Sequence, residues 1–257
     1  RRPSHPTRVS DASGGGEHEH RSMMDTDMYA RAAAGGGTGI SIYVPITGTD
    51  EAVAVPVDHL PEDVDEVLGI LQAELAPLGL WLDFAKAYLQ RGKEEQFRAI
   101  LESGCSPEIE EFYPQAKYER TCILCAFASY YVNLGRAEGD KIKREEHFYR
   151  AKMLLDQAAL IKQLKDGEEP EQMPVVGHAH LELAKGNLAA AEKLLDTART
   201  MRDNGLDNIG PMLWKALLLY KRNQTAEALQ WYKRALRTHP HAPASVRLGI
   251  GACQLKL

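Results

Sequence analysis

Two cysteines three positions apart, Cys122 and Cys125, have a spacing that could support metal or redox chemistry. Zinc sites and thiol–disulfide centres both use this spacing, but a structural zinc site takes four ligands and the sequence has no second pair of this kind. Their neighbours Ile123, Leu124 and Ala126 are apolar, which is typical of cysteines that pack in a core. We therefore expect both cysteines to pack in the core and to bind no metal.

Other potentially chemical residues occur in unfavourable arrangements. His178 and His180 are two positions apart, so on a helix their side chains point about 200° apart and do not chelate one ion together. The glycines at 14–16 and 35–37 lack the following Lys-Ser/Thr of a phosphate-binding loop. We expect a protein that is not an enzyme, without catalytic residues or cofactors. The alternative is an enzyme whose catalytic domain would lie beyond Leu257.

Large and small residues follow a regular order from Trp81 to the C-terminus. One set has the order expected of a first helix: Trp81, Phe84, Ala85, Tyr88 and Gly92. Another has the order of a second helix: Glu227, Ala228, Tyr232, Ala235 and Pro240. Alanine at a helix crossing lets two antiparallel helices approach closely. This order is typical of the tetratricopeptide repeat (TPR), a helix pair that binds other proteins.

The pattern recurs with the period of a repeat protein. The small residue of the first helix recurs at Ala179, Ala216 and Gly251, at spacings of 37 and 35 residues. Second-helix alanines come in pairs seven residues apart: Ala151 and Ala158, Ala191 and Ala198, Ala228 and Ala235. Residues seven apart share one helix face. The sequence therefore predicts an all-α protein, a right-handed α-solenoid of TPR helix pairs.

The chain divides into segments of different composition. Residues 1–39 have no apolar period and predict a disordered tail. Alternating apolar residues predict a short β-hairpin or extended arm at 40–60, and acidic residues after Pro61 favour an N-terminal helix and linker at 61–77. The TPR array is expected at 78–257, with repeats at 78–111, 121–170, 172–208 and 209–243 and a partial repeat at 244–257.

Two repeats depart from the pattern. In the first, Phe97 takes the place of a crossing alanine, so that pair must either splay or be packed by something upstream of it. In the second, Gly135 is expected to end the first helix, yet Ala151 follows only after a charged stretch at 136–146. A solvated extension of both helices and a spur that contacts a partner are both compatible with this insertion.

Charge and hydropathy exclude several classes of function. The net charge of −5 arises entirely after residue 39, because residues 1–39 carry five Arg and five acidic residues. An acidic chain argues against nonspecific nucleic-acid binding, and we expect no sequence-specific nucleic-acid contact. The longest near-apolar stretch, 122–132, is too short to span a bilayer, so no membrane partner is expected.

In a TPR, the fifth, ninth and twelfth positions of each first helix face the concave groove, within about 60° of one another. The fifth positions are Leu82, Cys125, Val176, Leu213 and Leu248. The ninth positions are Lys86, Ser129, His180, Leu217 and Ala252. The twelfth positions are Leu89, Val132, Leu183, Tyr220 and Leu255. This apolar stripe predicts an apolar or amphipathic ligand segment.

Other occupants of the groove remain open. The protein's own arm at 40–60 could fill it, or the superhelix could close tightly over it. Further alternatives are another TPR adaptor in an unrelated assembly and a co-chaperone that clamps a carboxylate. The co-chaperone mode needs several basic residues on this face. Among the ninth positions only Lys86 is basic.

Several local motifs extend the similarity beyond generic repeats. They comprise residues 41–46 (SIYVPI), 58–61 (DHLP), 80–82 (LWL), 128–131 (ASYY), 232–237 (YKRALR) and 246–251 (VRLGIG). Over about residues 40–257 the chain resembles the N-terminal portion of the "Cln-three-requiring" family. This family is the large TPR scaffold subunit of the RNA polymerase II-associated factor (Paf) complex.

The resemblance implies a nuclear scaffold that acts in transcription elongation and in co-transcriptional histone modification, notably ubiquitination and methylation. It also implies that the N-terminal TPRs embrace a segment of the Paf subunit, and that RNA polymerase II is contacted through the complex. The tail at 1–39 does not match the family.

Overall fold

The computed structural model describes residues 41–161, 172–201 and 209–257. The predicted disordered tail, and the ends of the predicted second and third repeats, lie outside these residues. The described residues fall into two compact units, which are divided between Glu62 and Asp63.

The first unit contains a two-stranded antiparallel hairpin. Strand β1 is Ser41–Pro45 and strand β2 is Ala52–Pro56, with Ile42 opposite Val55. Gly48 takes a φ of +81° in the connecting turn, a backbone conformation that favours glycine. In the same turn the Thr49 hydroxyl donates to the Ile46 carbonyl at 3.2 Å. The predicted hairpin at the N-terminal side of the helices is confirmed.

The second unit is helical. Its first helix, α1, is Val64–Ala73, and the Asp63 side chain caps it by accepting from the Asp65 amide at 3.0 Å. The following helices are α2 Leu78–Gln90, α3 Glu94–Gly104, α4 Pro107–Phe112, α5 Lys117–Ala137, α6 Lys141–Leu160, α7 Gln172–Lys185, α8 Leu188–Thr200, α9 Ile209–Lys221, α10 Thr225–Thr238 and α11 Ala244–Lys256.

The same type of turn joins the two helices in three of the pairs. After α2, α7 and α9 the chain passes through a residue with positive φ, namely Gly92, Gly186 and Asn223. In each case the next amide bonds back to the preceding helix, for example Lys93 to the Tyr88 carbonyl at 3.0 Å. This left-handed cap ends the first helix and reverses the chain. Equivalent turns at equivalent positions support the predicted repeat, and the predicted helical TPR fold is confirmed.

The second pair is built differently, and the expectation that Gly135 ends its first helix is wrong. Helix α5 continues to Ala137, and Asp140 caps α6, accepting from the amides of Ile142 and Lys143. Gly135 instead lies buried where α6 crosses α5. Only glycine fits there, because a Cβ at this position would lie 2.6 Å from Phe148 Cε1. The insertion therefore forms a longer helix pair, of 21 and 20 residues.

The alanines of the repeat pattern occupy the helix crossings. Ala151, Ala179, Ala191, Ala216 and Ala228 are all fully buried. Around Ala179, Ala191 and Ala228, helices α7 to α11 share one core that also includes Leu183, Leu195, Leu218, Leu219 and Cys253. In the first pair Phe97 is buried at the corresponding place and meets Tyr130 of α5 edge-on, with ring centroids 5.5 Å apart. The larger residue thus packs against the next repeat.

Candidate partner-binding groove

An apolar groove of about 410 Å³ lies where α9, α10 and α11 meet. Its lining consists of Gly210, Leu213, Trp214, Leu217, Tyr232, Ser245 and Val246. Most of these side chains are hydrocarbon or aromatic, and no Lys, Arg, Asp or Glu belongs to the lining. Such a surface suits an apolar side chain or a short amphipathic segment.

The predicted groove residues divide into three groups by exposure. Four are buried: Cys125, Val132, His180 and Leu183. Six are half-buried: Leu82, Ser129, Val176, Leu213, Leu217 and Tyr220. Five are exposed: Lys86, Leu89, Leu248, Ala252 and Leu255. Of these residues, Leu213 and Leu217 belong to the groove lining, and the others do not.

Two aromatic residues that lie outside the fifth, ninth and twelfth positions also shape the groove. Trp214 follows the predicted Leu213 directly, and Tyr232 comes from the second helix of the pair. In the sequence, Tyr232 belongs to the repeat pattern of a second helix, which does not predict a place in the groove. A second-helix residue reaches this surface because Gly249 lets α11 approach the Tyr232 ring closely.

Trp214 also connects the groove to the preceding repeat. Its ring packs on His180 of α7, with ring centroids 4.3 Å apart. Burial lowers the pKa of His180 to about 4, and the positive charges of Arg136 and Lys221 act in the same direction. The imidazole is therefore neutral at physiological pH, so this part of the surface carries no added charge.

An ion-pair network fixes α9, which carries most of the groove lining, against α8. Lys215 contacts Glu192 at 2.9 Å and Asp196 at 3.3 Å. Arg222 contacts the other oxygen of Glu192. Hydrogen bonds from Lys215 and Arg222 lower the pKa of the Glu192 carboxyl. The network thus connects two repeats across the contact between α8 and α9.

The single basic ninth-position residue is already engaged. Lys86 Nζ lies 3.1 Å from Asp83 Oδ1 on the same helix face. A carboxylate clamp needs several cationic donors that point at the ligand. The surroundings of Lys86 supply an acidic neighbour instead, which disfavours a terminal carboxylate as the ligand.

The two cysteines of the motif lie in α5, with Cys125 buried and Cys122 half-buried. Cys125 thus has the predicted burial, whereas Cys122 is more accessible than expected. Among residues 41–161, 172–201 and 209–257, no group of three or more His, Cys, Asp or Glu is arranged to hold a metal ion. In the same residues, no helix has the length and apolar character needed to cross a membrane.

The sequence is similar to several curated proteins. It is 42% identical over 217 residues to "Protein CTR9 homolog" of Arabidopsis thaliana, a match that covers 84% of this chain and 19% of that protein. It is 27% identical over 219 residues to "RNA polymerase-associated protein CTR9" of Caenorhabditis elegans, covering 84% of this chain and 18% of the relative. "Tetratricopeptide repeat protein 1" of Schizosaccharomyces pombe is 31% identical over 221 residues, 82% of this chain and 20% of its own length.

The chain thus spans about a fifth of the length of the curated relatives it matches. No protein-family model matches it. Among solved structures, a thermophilic TPR protein of Thermus thermophilus superimposes with a TM-score of 0.55 at 16% identity, over 75% of this chain and 89% of that one. That likeness supports the TPR fold. From the curated relatives, the chain belongs to the Cln-three-requiring (CTR9) family and corresponds to the N-terminal TPR part of its members.

Proposed function

We propose that this chain is a non-catalytic scaffold segment of a Paf-type complex and that its groove binds an apolar segment of the Paf subunit. The observation that carries the proposal is the continuous apolar lining around Leu213, Leu217 and Tyr232, which is open between α9 and α11. Family membership supports the choice of complex, and the name of the nematode relative associates that protein with RNA polymerase.

The groove favours a ligand that inserts one or two large apolar side chains. Burying each of them contributes about 1.5–3 kcal/mol. Trp214 and Tyr232 supply rigid aromatic walls, which lose little conformational entropy on binding. The ion pairs of Lys215 hold α9 in place before the ligand arrives, so the groove is largely pre-formed. A short segment can therefore bind specifically through few contacts.

The wider role in this proposal is that of a nuclear protein acting in transcription elongation by RNA polymerase II and in co-transcriptional histone modification. The chain would contribute through protein–protein contacts, and the apolar groove and the array of helix pairs support this role. A co-chaperone role is less well supported, since Lys86 is paired with Asp83 and the groove lining lacks basic side chains.

Affinity purification of the full-length protein from its own cells tests this proposal. We expect the other subunits of a polymerase-associated elongation complex to co-purify at stoichiometric levels. A parallel purification with Leu217→Glu should lose the Paf subunit selectively while the protein stays soluble. Stoichiometric recovery of heat-shock chaperones without elongation factors would overturn the assignment.

A further inference from the structure

Helix α6 carries a second apolar surface, away from the groove. Four large side chains on it are exposed: Ile142 by 73%, Tyr149 by 64%, Met153 by 51% and Leu160 by 78%. Their spacings are seven, four and seven residues, which places them within about 40° of one another on the helix. We call these four residues the α6 stripe. Exposed apolar residues that align in this way mark interaction surfaces more often than isolated ones do.

The stripe lies on the outer side of the helix. The buried residues of α6 are Phe148, Ala151, Leu155 and Ala158, and their mean direction is roughly opposite to the stripe. The stripe is therefore not part of the packing against α5 or α7. Its length, from Ile142 to Leu160, is about 27 Å. This is the face of the insertion that lengthens the second repeat.

The spacing of the stripe fits a helical ligand. Positions seven and four apart correspond to the a and d seam of a coiled coil. The same seam has two further positions between the stripe residues, and these are occupied by the acidic residues Glu146 and Asp156. Beside Glu146 the surface is slightly concave, with a lining of Lys141, Ile142, Glu145, Glu146 and Tyr149. A ligand helix can insert a side chain here.

The acidic seam positions argue against a second copy of this chain as the ligand. In an antiparallel pair that matches the stripe with itself, Ile142 faces Leu160 and Tyr149 faces Met153, so Glu146 faces Asp156. In a parallel pair Glu146 faces Glu146. Both arrangements place like charges in an apolar seam, which costs free energy. A partner with Lys or Arg at the facing position removes this cost.

We propose that the α6 stripe docks an amphipathic helix of another protein, with an apolar seam and a Lys or Arg that faces Glu146. Glu146 contributes more than Asp156, because Asp156 already contacts Lys152 at 3.0 Å and His178 at 3.3 Å. The stripe does not share lining residues with the groove, so this contact is independent of the proposed function.

Photo-crosslinking from the stripe tests the proposal. Benzoylphenylalanine is placed at Tyr149 of the full-length protein in its own cells, and mass spectrometry verifies its incorporation and maps the adducts. We expect the adducts to fall in a predicted amphipathic helix of a different protein with a basic residue in its apolar seam. Glu146→Lys should lower the yield about tenfold or more through like-charge contact.

The control is Glu51→Lys, which makes the same charge change at an exposed residue of the hairpin turn and should leave the yield unchanged. Thermal melts of both variants should match the parent protein, since both sites are exposed. Adducts to a second copy, adducts to segments without an apolar seam, equal losses from both variants, or no adduct despite verified incorporation would each overturn the proposal.

Discussion

Gly249 of α11 lies directly against the ring of Tyr232 on α10. A Cβ at position 249 would come within 2.8 Å of both Cε1 and Cζ of that ring, closer than carbon atoms pack. The missing side chain therefore lets α11 approach α10 and brings Val246 into the groove lining. One glycine thus links the packing of two repeats to the shape of the proposed binding surface.

Replacing Gly249 by alanine should consequently destabilise the protein. The added methyl group forces the Tyr232 ring or α11 to shift, at a cost of about 1–3 kcal/mol. Gly251, two residues further along α11, is the matched control, because a Cβ there meets nothing within 4 Å. Gly251→Ala should leave stability unchanged or raise it by up to about 1 kcal/mol through helix propensity. Urea unfolding of the two variants measures both effects, and equal destabilisation would contradict the account.

The ion-pair network at Glu192 should stabilise the contact between α8 and α9. Glu192→Gln removes the carboxylate that Lys215 and Arg222 share, and we expect a loss of about 1 kcal/mol, because the pairs are partly exposed. The folded pKa of Glu192 is below its unfolded value. Its stabilising contribution is therefore present above the unfolded pKa of about 4.3 and is lost as the pH falls through the folded pKa.

Unfolding measured between pH 7 and pH 3 tests this contribution. The difference in unfolding free energy between the parent protein and Glu192→Gln should shrink toward the acidic end. A constant difference across the whole pH range would contradict the assignment of the network.

His180 should make stability depend on pH in a different range. Its folded pKa, about 4, lies below the ordinary value of 6.5. The unfolded chain therefore binds a proton first, so stability is complete above about pH 6.5 and falls as the pH drops toward 4, by up to about 3 kcal/mol. His180→Gln should flatten this dependence when urea unfolding at neutral pH is compared with unfolding at acidic pH. A parent protein equally stable at pH 7 and pH 4.5 would refute this.

The sequence predicted those features that depend on periodicity. The seven-residue spacing of Ala191 and Ala198 places both on one face, and both are buried. The alternation at Ile42 and Val44 predicted a strand, and it forms one. Features that depend on how closely neighbouring helices approach each other could not be predicted from periodicity. Gly135 lies in a helix crossing rather than at a helix end, because the ring of Phe148 occupies the space beside it.

The same limit applies to the candidate groove. The fifth and ninth positions identified Leu213 and Leu217, because residues four apart share a helix face. They could not identify Tyr232, which reaches the groove from the second helix through its contact with Gly249. Nor could a one-dimensional pattern separate Leu183, which is buried, from Leu89, which is exposed at the equivalent position. That difference arises from packing between repeats.

The most direct test of the proposed scaffold function measures the affinity of the Paf subunit for Leu213→Glu by isothermal titration calorimetry. Burying a carboxylate against an apolar ligand costs several kcal/mol, so we expect affinity to fall at least about a hundredfold, or about 2.7 kcal/mol. The melting temperature should change little, because Leu213 is half-buried. Ala216→Leu, at a fully buried crossing, should lower the melting temperature instead. If Leu213→Glu unfolds the chain while its folded fraction binds with unchanged affinity, Leu213 is a core residue and the groove is not the binding site.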